Sequence, residues 1–364
     1  MMKKKLSFLL TLFLISLLPA GCAKQESAYT KYSTTFFGTF DTVVTIIGYA
    51  QDQSLFDRVA GEAKKRFERL HQVYDAYNAY EGVNNLYMMN REASKAPVPV
   101  EPELMDLLLF VKEKQPQMLG RVNIALGAVL SIWHQYREEA EFNPMEAEVP
   151  PMERLLETAA HVDFDKLILD PGQGTVYFED PELLTDLGSV AKGYAAEVVA
   201  QWMLTSEMPS FIISAGGNVR AGNHPEDGRA RWGVSIQNPD EIAFGGPGEN
   251  DLDVLYVTNT SVVTSGDYQR YYVVDGERYH HIISPDTLMP GNFTRSVTVV
   301  CEDSGLADLL STMLFLLPYE DGLDYVESTD GVEAYWVLPN QTIKYSSGME
   351  KLLKSAGAAS SDPM

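Results

Sequence analysis

Cysteine and positive charge are scarce in this 364-residue chain, which has two cysteines, and 28 lysines and arginines against 51 aspartates and glutamates. Two cysteines cannot support a fold held together by several disulfides. The net charge of −23 argues against nucleic acid as the main partner, because neutralising phosphates requires clustered Lys and Arg. The same charge predicts that anionic ligands are repelled unless a metal ion or a local basic cluster intervenes.

Long hydrophobic runs are also rare, and the clearest one, Leu6–Leu18, lies between three lysines and Cys22. It is shorter than the about 20 residues of a membrane-spanning helix, so it is typical of a signal-peptide core. The small residues before Cys22 resemble a bacterial lipobox. We therefore predict a signal peptide over residues 1–21, a lipidated Cys22, a tether over 22–34, and an extracytoplasmic lipoprotein anchored to the cell membrane. A plain signal peptide cut near Ala20 and an uncleaved anchor are the alternatives.

Apolar residues, in contrast, make up 45% of the chain, which excludes wholesale disorder. Strand and helix patterns alternate without a regular βαβ rhythm, a repeat or a linker, so we expect one elaborated α+β domain over residues 35–350. The small, polar residues 351–364 predict a flexible tail. The predicted strands are Phe40–Tyr49, Thr175–Phe178 and Phe211–Ile213, and the predicted helices are Ser54–Tyr74, Glu103–Lys114, Ser189–Leu204 and Ala307–Leu317.

Two turns have the residues of a phosphate site. The segment Asp186-Leu-Gly-Ser189 precedes a predicted helix whose first turn carries Lys192, and a helix N-terminus with a nearby lysine suits a phosphate group. In the second turn, the glycines of Ala215-Gly216-Gly217 let the backbone approach a ligand closely. An ordinary helix cap and a strand-end turn fit the same two patterns.

Two adjacent histidines, His280 and His281, follow a predicted hairpin with Asp275-Gly276 at its tip. Successive residues of a strand point to opposite faces, so at most one of the two side chains can enter a given pocket. That side chain could act as a general base near neutral pH, although a structural role fits the pattern too. A zinc site is not expected, because no Cys or carboxylate lies at ligand spacing.

An acidic residue stands among apolar neighbours in the last predicted helix. Asp308 and Thr312 are four residues apart and therefore share one helix face. A carboxylate in such surroundings needs a partner, because burying an unpaired charge is unfavourable. One carboxylate and one hydroxyl suit Mg²⁺, which takes few protein oxygens. The alternative is that Asp308 caps the helix.

The identity and order of these segments resemble the ApbE family of FAD:protein FMN transferases over nearly the whole chain, from Phe37 to Ser347. The resemblance implies an ApbE-like α+β fold in which helices pack on a mixed, largely antiparallel sheet. It also implies a Mg²⁺-dependent enzyme that moves the FMN half of FAD to a Ser or Thr hydroxyl of an extracytoplasmic target flavoprotein and releases AMP. The matching segments are Asp186–Tyr194, Ala215–Gly217, Thr264–Tyr268, His281–Pro285 and Ala307–Thr312.

The resemblance also implies roles for individual residues. His281 would be the catalytic base. The metal ligands would be Ser189, through its backbone carbonyl, Asp308 and Thr312. Tyr77 is a nearby alternative to one of the expected FAD contacts, Tyr80. The residues expected to contact FAD are Phe37, Tyr80, Trp133, His134, Asp186, Lys192, Gly216, Gly217 and Ile282.

Two other functions are compatible with the same residues. An FAD pyrophosphatase would use water as the nucleophile and give free FMN and AMP, and a non-catalytic lipoprotein would only bind FAD.

Because a helix N-terminus, Lys192 and a divalent cation would together hold the pyrophosphate, we expect FAD binding to depend strongly on the metal.

Overall fold

The computed structural model describes residues 28–240 and 251–363, so the predicted signal peptide and Cys22 lie outside the described residues. No helix in these ranges combines the length and the apolar character needed to cross a membrane. The helices are α1 (Gln53–Tyr74), α2 (Leu86–Glu92), α3 (Pro102–Lys114), α4 (Gly127–Phe142), α5 (Met152–Thr158), α6 (Ala191–Leu204), α7 (Ser304–Phe315) and α8 (Tyr319–Glu327). The strands are β1 (Thr30–Thr39), β2 (Thr42–Ala50), β3 (Val98–Pro99), β4 (Leu167–Asp170), β5 (Thr175–Phe178), β6 (Phe211–Ala215), β7 (Asn218–Ala221), β8 (Trp232–Gln237), β9 (Asp251–Val257), β10 (Ser261–Gly266), β11 (Tyr271–Val274), β12 (Glu277–His280), β13 (Ser296–Cys301), β14 (Glu333–Val337) and β15 (Ile343–Tyr345).

Eight strands form one sheet in the order β1-β2-β6-β7-β10-β13-β14-β15. Every neighbouring pair in this sheet is antiparallel. The main core lies between one face of the sheet and helices that include α1, α3, α6 and α7. The β8–β9 ribbon covers a second core on the opposite face, formed by the alternate residues of strands that include β2, β10, β13 and β14. The predicted α+β class, with helices on a largely antiparallel sheet, is confirmed.

The long predicted helices are found within a few residues of their expected bounds because their apolar residues recur with the helical period. In α1, Phe56, Ala63, Phe67 and Leu70 are buried on one face. The predicted strand Phe40–Tyr49 is found as β2, which begins two residues later because Phe40 belongs to a turn. Cys301 is buried in β13, as expected of a core residue, and burial raises the pKa of its thiol to about 12.

At both ends of the domain the structure shows ordered contacts beyond the predicted bounds. The predicted tether 22–34 overlaps β1, which begins at Thr30 and pairs with β2. In the predicted flexible tail, Leu353 is fully buried, and the Ser360 carbonyl accepts the N–H groups of Ala230 and Arg231 at 2.8 and 3.0 Å. Backbone hydrogen bonds hold these polar residues in place, and composition does not reveal such bonds.

A buried ion pair ties three elements of the main core together. Arg220 of β7 is fully buried, and its Nε donates to Oε2 of Glu197 in α6 at 2.9 Å. The same carboxylate oxygen accepts the N–H of Ser304, the first residue of α7, at 2.8 Å. The pair therefore fixes the positions of α6 and α7 relative to the sheet.

We predict that Arg220→Met lowers the free energy of unfolding by about 3–5 kcal/mol, because Glu197 becomes a buried charge without a counter-ion. The double variant Arg220→Met/Glu197→Leu should recover most of this loss. Urea denaturation of the three proteins measures the difference. A single variant as stable as the wild type would show that the pair does not hold the helices.

Candidate active site

A cavity of about 420 Å³ opens at one end of the sheet, where the β1–β2 and β6–β7 turns meet α4, α6 and α7. The structure brings together ten of the thirteen residues to which the sequence assigned catalytic, metal or FAD contacts. Phe37, Tyr80 and Gly217 are not among the residues that line the cavity. The ten that line it are Trp133, His134, Asp186, Ser189, Lys192, Gly216, His281, Ile282, Asp308 and Thr312.

The turn before α6 is fixed by its own backbone and by Asp186. The Asp186 N–H donates to the Ile124 carbonyl at 2.8 Å, and its carboxylate accepts the Gly188 N–H at 2.7 Å. The helix begins at Ala191, two residues later than predicted, so Ser189 lies in the turn with its backbone outside the helix. Lys192 then places a positive charge in the first helical turn, beside the cavity.

Asp308 lies in the second turn of α7 and is only 5% exposed. Its Oδ2 accepts the Gly193 N–H at 2.8 Å, which joins the two helices at the cavity. Burial raises the pKa of Asp308, whereas Lys192 and the Gly193 N–H act in the opposite direction. The alternative role as a helix cap is wrong, because Asp303 caps α7 by accepting the Leu306 N–H at 2.9 Å.

The donor groups around Asp308 match the preferences of Mg²⁺. Among the described residues Asp308 has no Lys or Arg within ion-pair distance, although its carboxylate is buried. Thr312 follows one turn later, and Ser189 lines the same cavity. The described ranges hold no group of three or more His, Cys, Asp or Glu side chains suited to a metal. One carboxylate with a hydroxyl and a carbonyl leaves about half of the octahedral coordination positions to water or substrate phosphates, as is usual for Mg²⁺.

Close contact between α6 and α7 depends on Gly193. A Cβ at this position would lie 2.2 Å from the Ser304 carbonyl oxygen and 2.6 Å from the Asp308 Cβ. Both helices would have to separate to admit a methyl group, and Asp308 would move with α7.

We predict that Gly193→Ala lowers the free energy of unfolding by about 1–3 kcal/mol through overpacking. Gly61→Ala in α1 is the matched control, because a Cβ there meets nothing within 4 Å. That control should instead raise stability by about 0.5–1 kcal/mol. Urea denaturation compares the two variants, and equal effects would contradict the contact that we describe.

The two histidines diverge as the strand pattern predicts. His280 is buried, and its Nε2 contacts the Gly291 carbonyl at 2.7 Å. His281 lines the cavity, and its Nδ1 lies 3.2 Å from the Arg270 carbonyl. Because a carbonyl only accepts hydrogen bonds, Nδ1 carries the proton and Nε2 is left as an acceptor. Burial lowers the pKa of His281 to about 3, and the charges of Lys192 and Arg270 act in the same direction.

Three cavity arginines were not predicted from the sequence. Arg121, Arg137 and Arg270 line the cavity together with Lys192. Arg137 lies one helical turn after Trp133, and its guanidinium is 2.6 Å from Nδ1 of His134. Arg270 comes two residues after the Thr264–Tyr268 motif. Its closeness to that motif in the sequence could have identified it as a candidate site residue. These residues bring positive charge to a cavity that carboxylates also line, and Arg121 pairs in addition with Asp286.

The aromatic residue at the β1–β2 turn is Phe40, which replaces the predicted Phe37. Phe37 is 72% exposed on β1 and lies outside the cavity. Phe40 and Asp41 form a two-residue turn with φ of 53° and 50°, and both line the cavity. Such angles cost a non-glycine residue about 1–3 kcal/mol. The Phe40 N–H donates to Nδ1 of His71 at 3.2 Å, which helps to hold the strained turn in place.

Of the two candidate tyrosines, Tyr77 lines the cavity and Tyr80 does not. The Tyr80 hydroxyl donates to Oδ2 of Asp75 at 2.8 Å, and Oδ1 of Asp75 accepts the Tyr77 N–H at 2.7 Å. Burial would raise the pKa of Asp75, but these hydrogen bonds hold it below its usual value. The Tyr77 ring lies 4.9 Å from the His134 ring. Tyr80 therefore supports the loop that presents Tyr77.

The glycine pair forms the tight β6–β7 turn, with φ of 55° at Gly216 and 95° at Gly217. A Cβ on Gly216 would lie 2.0 Å from Oγ1 of Thr42, so this glycine lets the turn approach the start of β2. Gly217 lies behind it, and its carbonyl accepts the Thr264 N–H at 3.0 Å. Only the first glycine of the predicted pair thus reaches the cavity.

Comparisons with known proteins agree with this geometry. Residues 40–336 match the family model described as "ApbE family". The FAD:protein FMN transferase of Treponema pallidum is 32% identical over 299 residues, which cover 78% of each chain. That of Klebsiella pneumoniae is 28% identical and covers 82% of this chain and 87% of its own. The ApbE protein of Thermotoga maritima superposes with a TM-score of 0.75 at 26% identity, over 88% of this chain and 98% of its own.

Proposed function

Because the chain belongs to the ApbE family, we propose that it is an FAD:protein FMN transferase. The observation that carries the proposal is the meeting of His281, Asp308 and Lys192 in one cavity. This arrangement offers a neutral base, a site for a divalent cation and a fixed positive charge, which are the groups that transfer of a phosphoryl-linked nucleotide requires. The substrates are FAD and a Ser or Thr hydroxyl of a target flavoprotein.

In the proposed reaction, the acceptor hydroxyl attacks the phosphorus atom on the FMN side of the FAD pyrophosphate. The bond between that phosphorus and the bridging oxygen breaks, and AMP leaves with the electron pair. Nε2 of His281 takes the hydroxyl proton, since Nδ1 already donates to the Arg270 carbonyl. Lys192 and the turn at Gly216 would hold the pyrophosphate so that the reacting atoms align.

Asp308, Thr312 and the Ser189 carbonyl would hold Mg²⁺. When bound, Mg²⁺ neutralises the negative charge that develops on the leaving AMP. The Gly193 N–H fixes one oxygen of Asp308, so the carboxylate is oriented before the metal arrives. The structural support for this part of the proposal is the buried Asp308 carboxylate, which has no ion-pair partner among the described residues.

The test is a mass measurement on the acceptor. The full chain in detergent would be incubated with FAD, MgCl₂ and the extracytoplasmic protein fraction of its own source, and proteins would be examined for a mass gain of one FMN residue. We expect this gain together with an equal amount of AMP, and neither in His281→Ala or with EDTA. Free FMN and AMP without protein labelling would identify a pyrophosphatase. FAD binding without turnover under any divalent metal would identify a flavin-binding lipoprotein.

We also propose that the protein is an extracytoplasmic lipoprotein attached through Cys22. We predict that Cys22→Ser moves the protein from the membrane fraction to the soluble extracytoplasmic fraction, because the lipid chains that hold it are lost. Immunoblotting of the two fractions measures the change. A variant that stays in the membrane fraction would instead support an uncleaved N-terminal anchor.

A further inference from the structure

One surface beside the cavity is both apolar and acidic. Phe142 and Met145 are each 94% exposed, Leu156 is 60% exposed and Met152 is 42% exposed. We call these four residues the α4–α5 surface. They are four of the thirteen large hydrophobic side chains that stand exposed in the described chain, and all four fall within one short segment. Such a concentration of apolar side chains marks a contact surface, whereas single exposed residues do not.

The exposure results from firm packing of the segment. On α5, Leu155 is fully buried, and Met152 and Leu156, four residues apart, share the outer face. Arg154 of the same helix lies 6.0 Å from the centre of the Tyr136 ring and donates to Gln135 at 3.3 Å. Because these contacts hold α5 against α4, Met152 and Leu156 on the outer face of α5 remain exposed to solvent.

The charge around the surface identifies the kind of partner. Residues 138–157 include seven glutamates and one arginine. Glu146, Glu148, Glu153 and Glu157 are exposed and form no ion pair within the described ranges. This charge repels anionic lipid headgroups and attracts lysine and arginine side chains. An apolar centre with an acidic rim therefore fits a protein segment that has apolar anchors between basic residues.

The surface and the cavity are linked by one helix. The same helix, α4, carries Trp133, His134 and Arg137 into the cavity and ends at Phe142. At 1.5 Å per residue, Phe142 lies only about 8 Å beyond Arg137 along the helix axis. A protein that placed a hydroxyl side chain in the cavity would therefore have these residues within its reach.

We propose that the α4–α5 surface docks the acceptor protein through a basic segment with apolar side chains. The proposal rests on the proposed function, because it assigns the partner of that same site. Docking here would raise the local concentration of the acceptor hydroxyl at His281, so its loss should act on the acceptor KM and leave chemistry and FAD binding unchanged.

Two surface variants and one control test the proposal. Phe142→Ser/Met145→Ser removes the apolar anchors, and Glu146→Gln/Glu148→Gln/Glu153→Gln/Glu157→Gln removes charge. The control, Ile343→Ser/Asp324→Asn/Asp330→Asn, makes comparable changes at exposed residues of another face. With the FMN-accepting protein as substrate, we expect each surface variant to raise the acceptor KM about tenfold, with kcat, FAD affinity and the control unchanged. An unchanged acceptor KM would overturn the proposal.

A binding measurement separates failure of this proposal from failure of the proposed function. The probe is a fluorescent amphipathic peptide of Lys and Leu, which needs no turnover. We expect the wild type and the control to bind it, and both surface variants to bind about tenfold more weakly. If no protein accepts FMN but this pattern holds, the proposed function fails and the surface remains a docking site for a basic partner. Equal binding by all four proteins would overturn the docking site.

A lipid partner is tested in the same series. Vesicles of phosphatidylcholine, with and without phosphatidylglycerol, would be sedimented with a soluble form that carries Cys22→Ser. We expect no binding that depends on Phe142 and Met145. Binding that the Phe142→Ser/Met145→Ser variant loses would overturn the proposal in favour of a membrane contact.

Discussion

Asp308→Asn is expected to lower kcat for FMN transfer about a thousandfold or more, because it removes the buried carboxylate proposed to bind Mg²⁺ in the cavity. The packing should survive, since the amide oxygen of asparagine can still accept the Gly193 N–H. FAD binding should also lose its dependence on MgCl₂, which a titration of flavin fluorescence measures.

The same variant should be more stable than the wild type in the absence of metal. Burial raises the pKa of Asp308, so the folded state holds the proton more tightly than the unfolded state does. The free energy of unfolding of the wild type therefore falls as pH rises above the pKa of Asp308 in the unfolded chain, which is about 4. The Asp308→Asn protein has no such group and does not lose this stability. We expect MgCl₂ to raise the melting temperature of the wild type and to leave that of Asp308→Asn unchanged.

Thr312 provides a matched control for this prediction. Thr312→Ser keeps the hydroxyl and should keep most of the activity, whereas Thr312→Val keeps the shape and should lose most of it. An Asp308→Asn protein that transfers FMN at the wild-type rate would contradict the metal site. So would equal effects of the two Thr312 variants.

The parts of the site that could be predicted depend on local sequence. Asp275-Gly276 and Gly216-Gly217 are turn sequences whose positive φ angles the structure contains. The spacing of Asp308 and Thr312 fixes their common helix face, and strand alternation separates His280 from His281. In each case the relevant geometry spans no more than about one helical turn, so neighbouring residues determine it.

The parts that failed depend on register or on distant contacts. An irregularity in the pairing of β1 between Phe36 and Thr39 leaves Phe37 in solvent and puts Phe40 at the turn. A shift of one residue changes the face of a strand, and the hydrophobic pattern does not reveal the irregularity. Whether Tyr77 or Tyr80 reaches the cavity depends on the conformation of their loop, which the Asp75 carboxylate fixes through hydrogen bonds to both residues.

The positive charge that an anionic substrate would meet also depends on tertiary structure. Arg121, Arg137, Arg270 and Lys192 come from separate parts of the sequence and line the same cavity. Net charge describes the whole molecule, whereas a substrate within the cavity responds mainly to charges within a Debye length of about 8 Å.

His281→Ala is expected to lower kcat for FMN transfer by about 10²–10⁴, the usual contribution of a general base. FAD affinity should change little, because Lys192 and the turn at Gly216 are proposed to hold the pyrophosphate. The variant should also retain its fold, since Nδ1 of His281 makes one hydrogen bond, to a carbonyl at the cavity wall. A His281→Ala protein with wild-type kcat would exclude this residue as the base.

The pH dependence of the wild type tests the same assignment. In the free protein the pKa of His281 is lowered to about 3, first by burial and then by Lys192 and Arg270. The imidazole is therefore neutral throughout the range from pH 5 to 8. In the pH profile of kcat/KM for FAD, we expect no fall on the acid side near 6.5, the ordinary pKa of histidine. Below pH 6.5 His281 takes up a proton in the unfolded chain but not in the folded one. Its effect on the free energy of unfolding therefore becomes less favourable as pH falls. Arg270→Met removes one of the nearby charges and should move the acid limb upward. A fall of kcat/KM below pH 6.5 in the wild type would contradict a base that is neutral in the free protein.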